Sequence, residues 1–196
     1  MGIVVKNVVV LGLVLSAWLA LSVGYLSPDR PTRDQWERLE KARKGGPTTL
    51  VYQSNFSVET PGVEKQPAGY WGFYNGATVS TVQYDPGGVT VTYGGTPWIG
   101  AVLHFKAYER LQIYRVTFER SVDGEPAAVI VRNRQMDLMR QEIPVGTGPT
   151  TVYFVAPQGS LDRVYLAFIP DGRDKPVGKL RITSLKIERM LEQGAK

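Results

Sequence analysis

Two periods of hydrophobic residues divide this chain. The first is a continuous run. Asn7 to Leu26 is 20 residues long and carries no charged side chain. As a helix rising 1.5 Å per residue it spans about 30 Å, the thickness of a bilayer core. It predicts a transmembrane anchor within residues 1–26. A cleaved signal peptide is the competing reading, with Lys6 as its basic region and Ser22 and Gly24 as the small residues before the cut. The length of the apolar run favours retention. A short helix is expected next, from Thr32 to Lys44 within a juxtamembrane segment 27–47. Thr32 is its N-cap, Gln35 three residues on completes a capping box, and Gly45-Gly46-Pro47 stops it. Trp36 and Leu39 are expected on one face, with Ala42 or Arg43 next.

From Thr48 the period falls to two. Val89, Val91 and Tyr93 alternate with Thr90 and Thr92, and Tyr114, Val116 and Phe118 alternate with Arg115, Thr117 and Glu119. Leu180, Ile182, Leu185 and Ile187 alternate with one slip at Thr183-Ser184, which predicts a bulge. Asp85-Pro86-Gly87-Gly88 predicts a hairpin. Strands are expected near 49–57, 77–84, 88–94, 98–105, 112–121, 127–134, 150–156, 163–169 and 179–188. Short strands between turns, with no helical stretch among them, predict an all-β antiparallel sandwich or barrel over 48–190 and a tail at 191–196.

The anchor carries a second pattern. Gly12, Ser16, Ala20 and Gly24 recur every four residues and make one stripe of small side chains. Such a stripe lets another helix approach closely in lipid. Tyr25 and Trp36 suit the membrane interface, and the basic residues near Trp36 suit lipid phosphates. Orientation signals conflict. Arg30, Arg33, Arg38, Lys41, Arg43 and Lys44 follow the run closely while only Lys6 and the terminal amine precede it, which places the domain in the cytoplasm by the positive-inside rule. The short N-terminal tail with its adjacent lysine reads instead as an export signal, and the periplasmic side is the expectation here.

Composition narrows the chemistry. The net charge of +5 is spread along the chain rather than gathered into a nucleic-acid patch. There are no cysteines, so disulfides, thiolate metal sites and cysteine nucleophiles are excluded. His104 is the one histidine, and it reads as a satisfied or surface side chain rather than a catalytic one. Zinc and haem ligation lack a second ligand, no nucleophile elbow accompanies His104, and no spacing pairs the scattered acids. No phosphate loop and no clustered Asp motif for calcium is present, so neither enzyme nor cofactor is expected.

The order of elements from Val51 to Glu188 resembles the jelly-roll carbohydrate-binding modules and their galactose-binding-like relatives. An early strand leads to Gly69-Tyr70-Trp71-Gly72-Phe73-Tyr74, then a hairpin, then Trp98-Ile99-Gly100. A Tyr-x-Val-x-Phe strand (Tyr114 to Phe118), a late Val-Tyr-Leu-Ala-Phe strand and a final strand from Gly178 to Ile187 follow. The resemblance implies a sandwich whose first and last strands meet, and a mostly non-catalytic module. Many such modules stack sugars on exposed aromatics, while others mediate protein contacts.

Tyr70, Trp71, Tyr74 and Trp98 are therefore the candidate ligand or interface aromatics, since they fall in or beside turn-rich segments. The alternative is that Trp71 and Trp98 fill the core. The function expected first is an accessory, structural subunit of a larger membrane complex, of the respiratory or photosynthetic kind, docked through Gly12, Ser16, Ala20 and Gly24. The second is a membrane-tethered carbohydrate-binding module.

Overall fold

The computed structural model describes residues 32–54, 56, 68–78, 80–95, 98–106, 108–133, 137–156, 164–171 and 176–191. The expected anchor, with Gly12, Ser16, Ala20, Gly24 and Tyr25, lies outside them. Among the described residues no helix is long and apolar enough to cross a membrane.

Helix α1 runs Arg33–Arg43. Thr32 caps it as expected: its hydroxyl accepts from the Gln35 N–H, and the Gln35 side chain accepts from the Thr32 N–H. The buried face is Gln35, Leu39 and Ala42, so the expected Trp36–Leu39 face is corrected by one position. Trp36 stays 47% exposed. The reason is the spacing of four then three, which keeps Gln35, Leu39 and Ala42 on one stripe and turns Trp36 about 60° off Leu39.

Among the described residues, eleven strands form two antiparallel sheets. The first sheet holds β3 (Val82–Asp85), β4 (Gly88–Gly94), β11 (Val177–Met190), β6 (Ile113–Gly124) and β9 (Gly146–Val155), in that order. β1 (Thr48–Ser54) pairs the far half of β11, so the first and last strands meet as the resemblance implies. The second sheet is β2 (Gly69–Tyr74), β5 (Gly100–Phe105), β10 (Val164–Pro170), β7 (Ala127–Arg132) and β8 (Asp137–Ile143). The expected hairpin at Asp85–Gly88 is present.

The slip in β11 has a structural cause. Its pairing with β6 steps from Ile182 opposite Arg120 to Ser184 opposite Glu119, leaving Thr183 as an extra residue. One extra residue inverts the phase of a strand. Leu180 and Ile182 before it, and Leu185 and Ile187 after it, therefore all enter the core between the sheets.

α1 does not stand off the sandwich. Leu39 and Ala42 pack on Ile113, Val155 and Met190, the outward residues of the first sheet. Beside this contact, Glu188 on β11 accepts from the Thr48 hydroxyl at 3.0 Å and from Arg115 Nε at 3.0 Å, with Lys186 Nζ at 3.4 Å. Burial raises the pKa of this carboxyl, but the hydrogen bonds from Thr48 and Arg115 and the charges of Arg115 and Lys186 outweigh it and leave the pKa below the usual value of 4.5. A carboxyl whose folded pKa is depressed contributes stability above its unfolded pKa and loses it as pH falls through the folded value. Glu188→Gln is thus expected to cost about 2 kcal/mol at neutral pH. The cost should shrink in acid below pH 4.5. Urea unfolding of both proteins at pH 7 and pH 3 checks this, and an unchanged difference between the two pH values would count against the role given to Glu188.

Candidate functional site

Alternation along the second sheet separates a core face from an outer face. Trp71, Leu103, Leu166 and Val129 enter the core. Their neighbours in sequence therefore point outward. One outward row crosses the sheet in register: Tyr70 opposite His104, His104 opposite Tyr165, and Tyr165 opposite Arg132. Tyr70 and His104 stack in parallel at 4.4 Å, and Tyr165 meets His104 edge-on at 5.1 Å. Lys106 Nζ lies 5.4 Å above the Tyr70 ring.

Tyr74 ends β2. The next two residues, Asn75 and Gly76, both take left-handed conformations at φ 53° and 81°, and the turn closes with Ala77 N–H on the Tyr74 carbonyl at 3.1 Å. Asn and Gly tolerate that geometry where most residues do not. The turn fixes Tyr74 at the sheet edge, from which its ring packs on the patch of Ala128, Ile130, Ala167 and Ile169. Arg132 Nη1 donates to its hydroxyl at 2.6 Å. That hydrogen bond raises the Arg132 pKa further, so the guanidinium stays charged at every accessible pH. Asp137 flanks it at 3.4 Å.

Between these groups lies an open pocket of about 270 Å³, lined by Tyr74, Val102, His104, Arg132 and Tyr165 among others. Gly72 lies beside His104 on this face. A Cβ at Gly72 would meet His104 Nε2 at 3.2 Å, so the missing side chain gives the imidazole its place. Small-ligand pockets begin near 300 Å³, so this one has room for a ring-sized group. Its chemistry is aromatic walls with a fixed cation, an imidazole and phenol hydroxyls, which suits a polyhydroxylated ring rather than an apolar one.

The expected aromatics divide. Tyr70 and Tyr74 stand on this face. Trp71 does not: it is 0% exposed, packed on Phe56, Tyr84 and Phe168, and its assignment as a ligand aromatic is corrected to core. Adjacent positions in a strand point to opposite faces, so Tyr70 and Trp71 cannot both serve one site. Trp98 is 39% exposed, at φ 68°, beside Arg140 at 4.9 Å. Arg140 pairs opposite Ile130, which puts this cation at the outer face, and it also bonds Asp171 at 2.7 Å. Three members were not foreseen: Tyr165, Arg132 and His104 as a wall. Tyr165 and Arg132 interrupt otherwise apolar runs, Val164-Tyr165-Leu166 and Val131-Arg132, and that interruption is the signal an outward site leaves in a buried sheet. Among the described residues no group of three or more His, Asp or Glu side chains could hold a metal ion.

Solved structures place the architecture. The structure described as CBM4 matches with a TM-score of 0.50 at 16% identity, over 68% of this chain and 98% of the module. The N-terminal cellulose-binding domain of Cellulomonas fimi β-1,4-glucanase C matches with a TM-score of 0.52 at 15% identity, over 74% of this chain and 99% of that domain. The fold is that of a carbohydrate-binding module. Within this jelly-roll sandwich, the face bearing Tyr74 and Arg132 belongs to the five-stranded sheet. No protein-family model and no curated protein sequence matches the chain.

Proposed function

We propose that the protein is a non-catalytic glycan-binding module, held at a membrane by residues 7–26 with the sandwich on the extracytoplasmic side. One observation carries the glycan reading: the pocket walled by Tyr74, His104 and Tyr165 with the Arg132 guanidinium fixed beside it. A pyranose presents C–H faces to aromatic rings and hydroxyls to fixed polar groups, and this pocket offers both. Trp98 supports the reading from the turn just before β5. A bulky residue at φ 68° is uncommon and costs about 1 kcal/mol, and such strain gathers at binding sites. The fold of the two neighbours supports it as well.

The subunit reading rests on the spacing of Gly12, Ser16, Ala20 and Gly24, and no described residue adds to it. The glycan reading has a pocket.

Purified protein is expected to bind a polysaccharide on a glycan array, with β-glucans as the first ligands to try because one fold neighbour is a cellulose-binding domain. Tyr74→Ala and Arg132→Ala should each weaken binding about 30-fold, the effect of losing a central aromatic or arginine anchor. Val145→Ser, at the distant β8–β9 turn, should leave it unchanged. A blank array for folded protein would end this proposal.

A further inference from the structure

A second pocket, of about 290 Å³, opens on the opposite side of the molecule between α1 and the first sheet. Its apolar wall is Ala42, Ile113, Met190 and Leu191, and its cations are Arg38 and Lys41. Gly45 and Gly46 complete the rim without side chains. No acidic residue lines it among the described residues. Leu191, the residue after β11, is 41% exposed, so the apolar wall continues to the surface.

The pairing of two cations with an apolar wall fits an amphiphile with an anionic head. A free inorganic anion would leave Ile113, Met190 and Leu191 without a role, and a neutral apolar ligand would do so for Lys41. Position argues for the bilayer as the source. The uncharged run ends at Leu26, and Thr32 opens α1 six residues later. Six extended residues reach about 20 Å at most, so a chain anchored by that run keeps α1 close to lipid headgroups. We propose that this pocket takes the phosphate and upper acyl segment of an acidic phospholipid, with Lys41 and Arg38 on the phosphate and Leu191, Met190 and Ile113 against the methylenes. It is distinct from the glycan pocket on the second sheet, and its lipid source rests on the membrane-tether reading. Docked so, the sandwich is held at a fixed angle to the bilayer.

The absence of cysteine makes the test direct. Full-length Gly46→Cys, labelled with an environment-sensitive fluorophore, places a single probe on the rim, where the glycine is exposed. Val145→Cys places a control just before the far end of β9, ten residues from the Val155 that packs on α1. Both are reconstituted in vesicles of phosphatidylcholine alone or with phosphatidylglycerol. The Gly46 probe should shift to the blue with phosphatidylglycerol while the Val145 probe does not. Lys41→Glu should weaken the response to phosphatidylglycerol by more than the roughly fivefold that one cation supplies near an acidic surface. A Gly46 probe indifferent to phosphatidylglycerol overturns the proposal. So does a shift that inorganic phosphate reproduces in phosphatidylcholine vesicles, which would mark a free-anion site. Alkaline extraction decides the tether separately: protein washed off the vesicles rejects the anchor whatever the probe reports, and retained protein with an indifferent probe keeps the anchor and rejects the pocket.

Discussion

Trp71→Ala is expected to destabilise the sandwich by about 4 kcal/mol, within the range for truncating a buried aromatic. The indole is wholly buried on β2 and touches Phe56 from the β1 side, Tyr84 on β3 and Phe168 on β10, with ring centroids 5.2, 6.2 and 5.7 Å away. It therefore joins both sheets, and no single neighbour can relax into the space it leaves. Total stabilities of about 5–15 kcal/mol make such a loss severe. Trp71→Phe is the informative companion. It keeps most ring contacts and removes an indole N–H that is buried without an acceptor among the described residues. A buried donor lacking a partner costs about 1–3 kcal/mol, which offsets part of the lost area. The phenylalanine variant should thus lose about 2 kcal/mol or less. Urea unfolding followed by circular dichroism reads both. If Trp71→Ala kept full stability and lost glycan binding, Trp71 would be a ligand platform and the core assignment would be wrong.

Trp71 and its neighbours separate what local pattern encodes from what only the assembled sheets decide. Strands with strict alternation, such as Val89 to Tyr93 and Tyr114 to Phe118, were legible because one buried face imposes period two. The bulge at Thr183 was legible because it shifts that period without ending it. β8 was missed: Asp137-Leu138-Met139-Arg140-Gln141-Glu142-Ile143 is an edge strand with mixed exposure on both faces, so no alternation is written into it. In sequence β2 is an aromatic stretch beside turns, because Gly69 and Gly72 weaken any strand signal. Those glycines are present for packing reasons that only the assembled sheet reveals. A Cβ at Gly69 would meet the His104 carbonyl at 2.7 Å. The outer face that carries the pocket is half legible for a related reason. Tyr70 and Tyr74 come from one short segment, whereas His104, Arg132 and Tyr165 come from three separate strands. Their meeting depends on the strand order β2-β5-β10-β7, which local pattern does not encode.

Gly100→Ala tests that strand order at its tightest point. Gly100 opens β5 opposite Tyr74 on one side and meets β10 on the other. It needs no left-handed backbone, so an alanine there is acceptable to φ and ψ. What forbids it is distance: a Cβ on Gly100 would overlap the Phe168 carbonyl oxygen and press on Ile169 at 3.1 Å. The oxygen is backbone, and it cannot swing aside as a flexible side chain would. β5 must then move away from β10, weakening the ladder from Val164 to Phe168. Overpacking of this kind costs about 3 kcal/mol. The displacement also reaches the pocket, because Tyr74 sits across Gly100 and packs on Ile169 and Ala167 behind it. Glycan affinity should therefore fall together with stability in this variant. Gly94→Ala is the control: it ends β4, has nothing within 4 Å of its would-be Cβ, and belongs to the other sheet. It should change stability by no more than about 0.5 kcal/mol and leave binding intact. Equal behaviour of the two alanines in urea unfolding would show that β5 and β10 do not approach as closely as described. A Gly100→Ala protein that is unstable yet binds glycan with full affinity would place the binding site away from Tyr74.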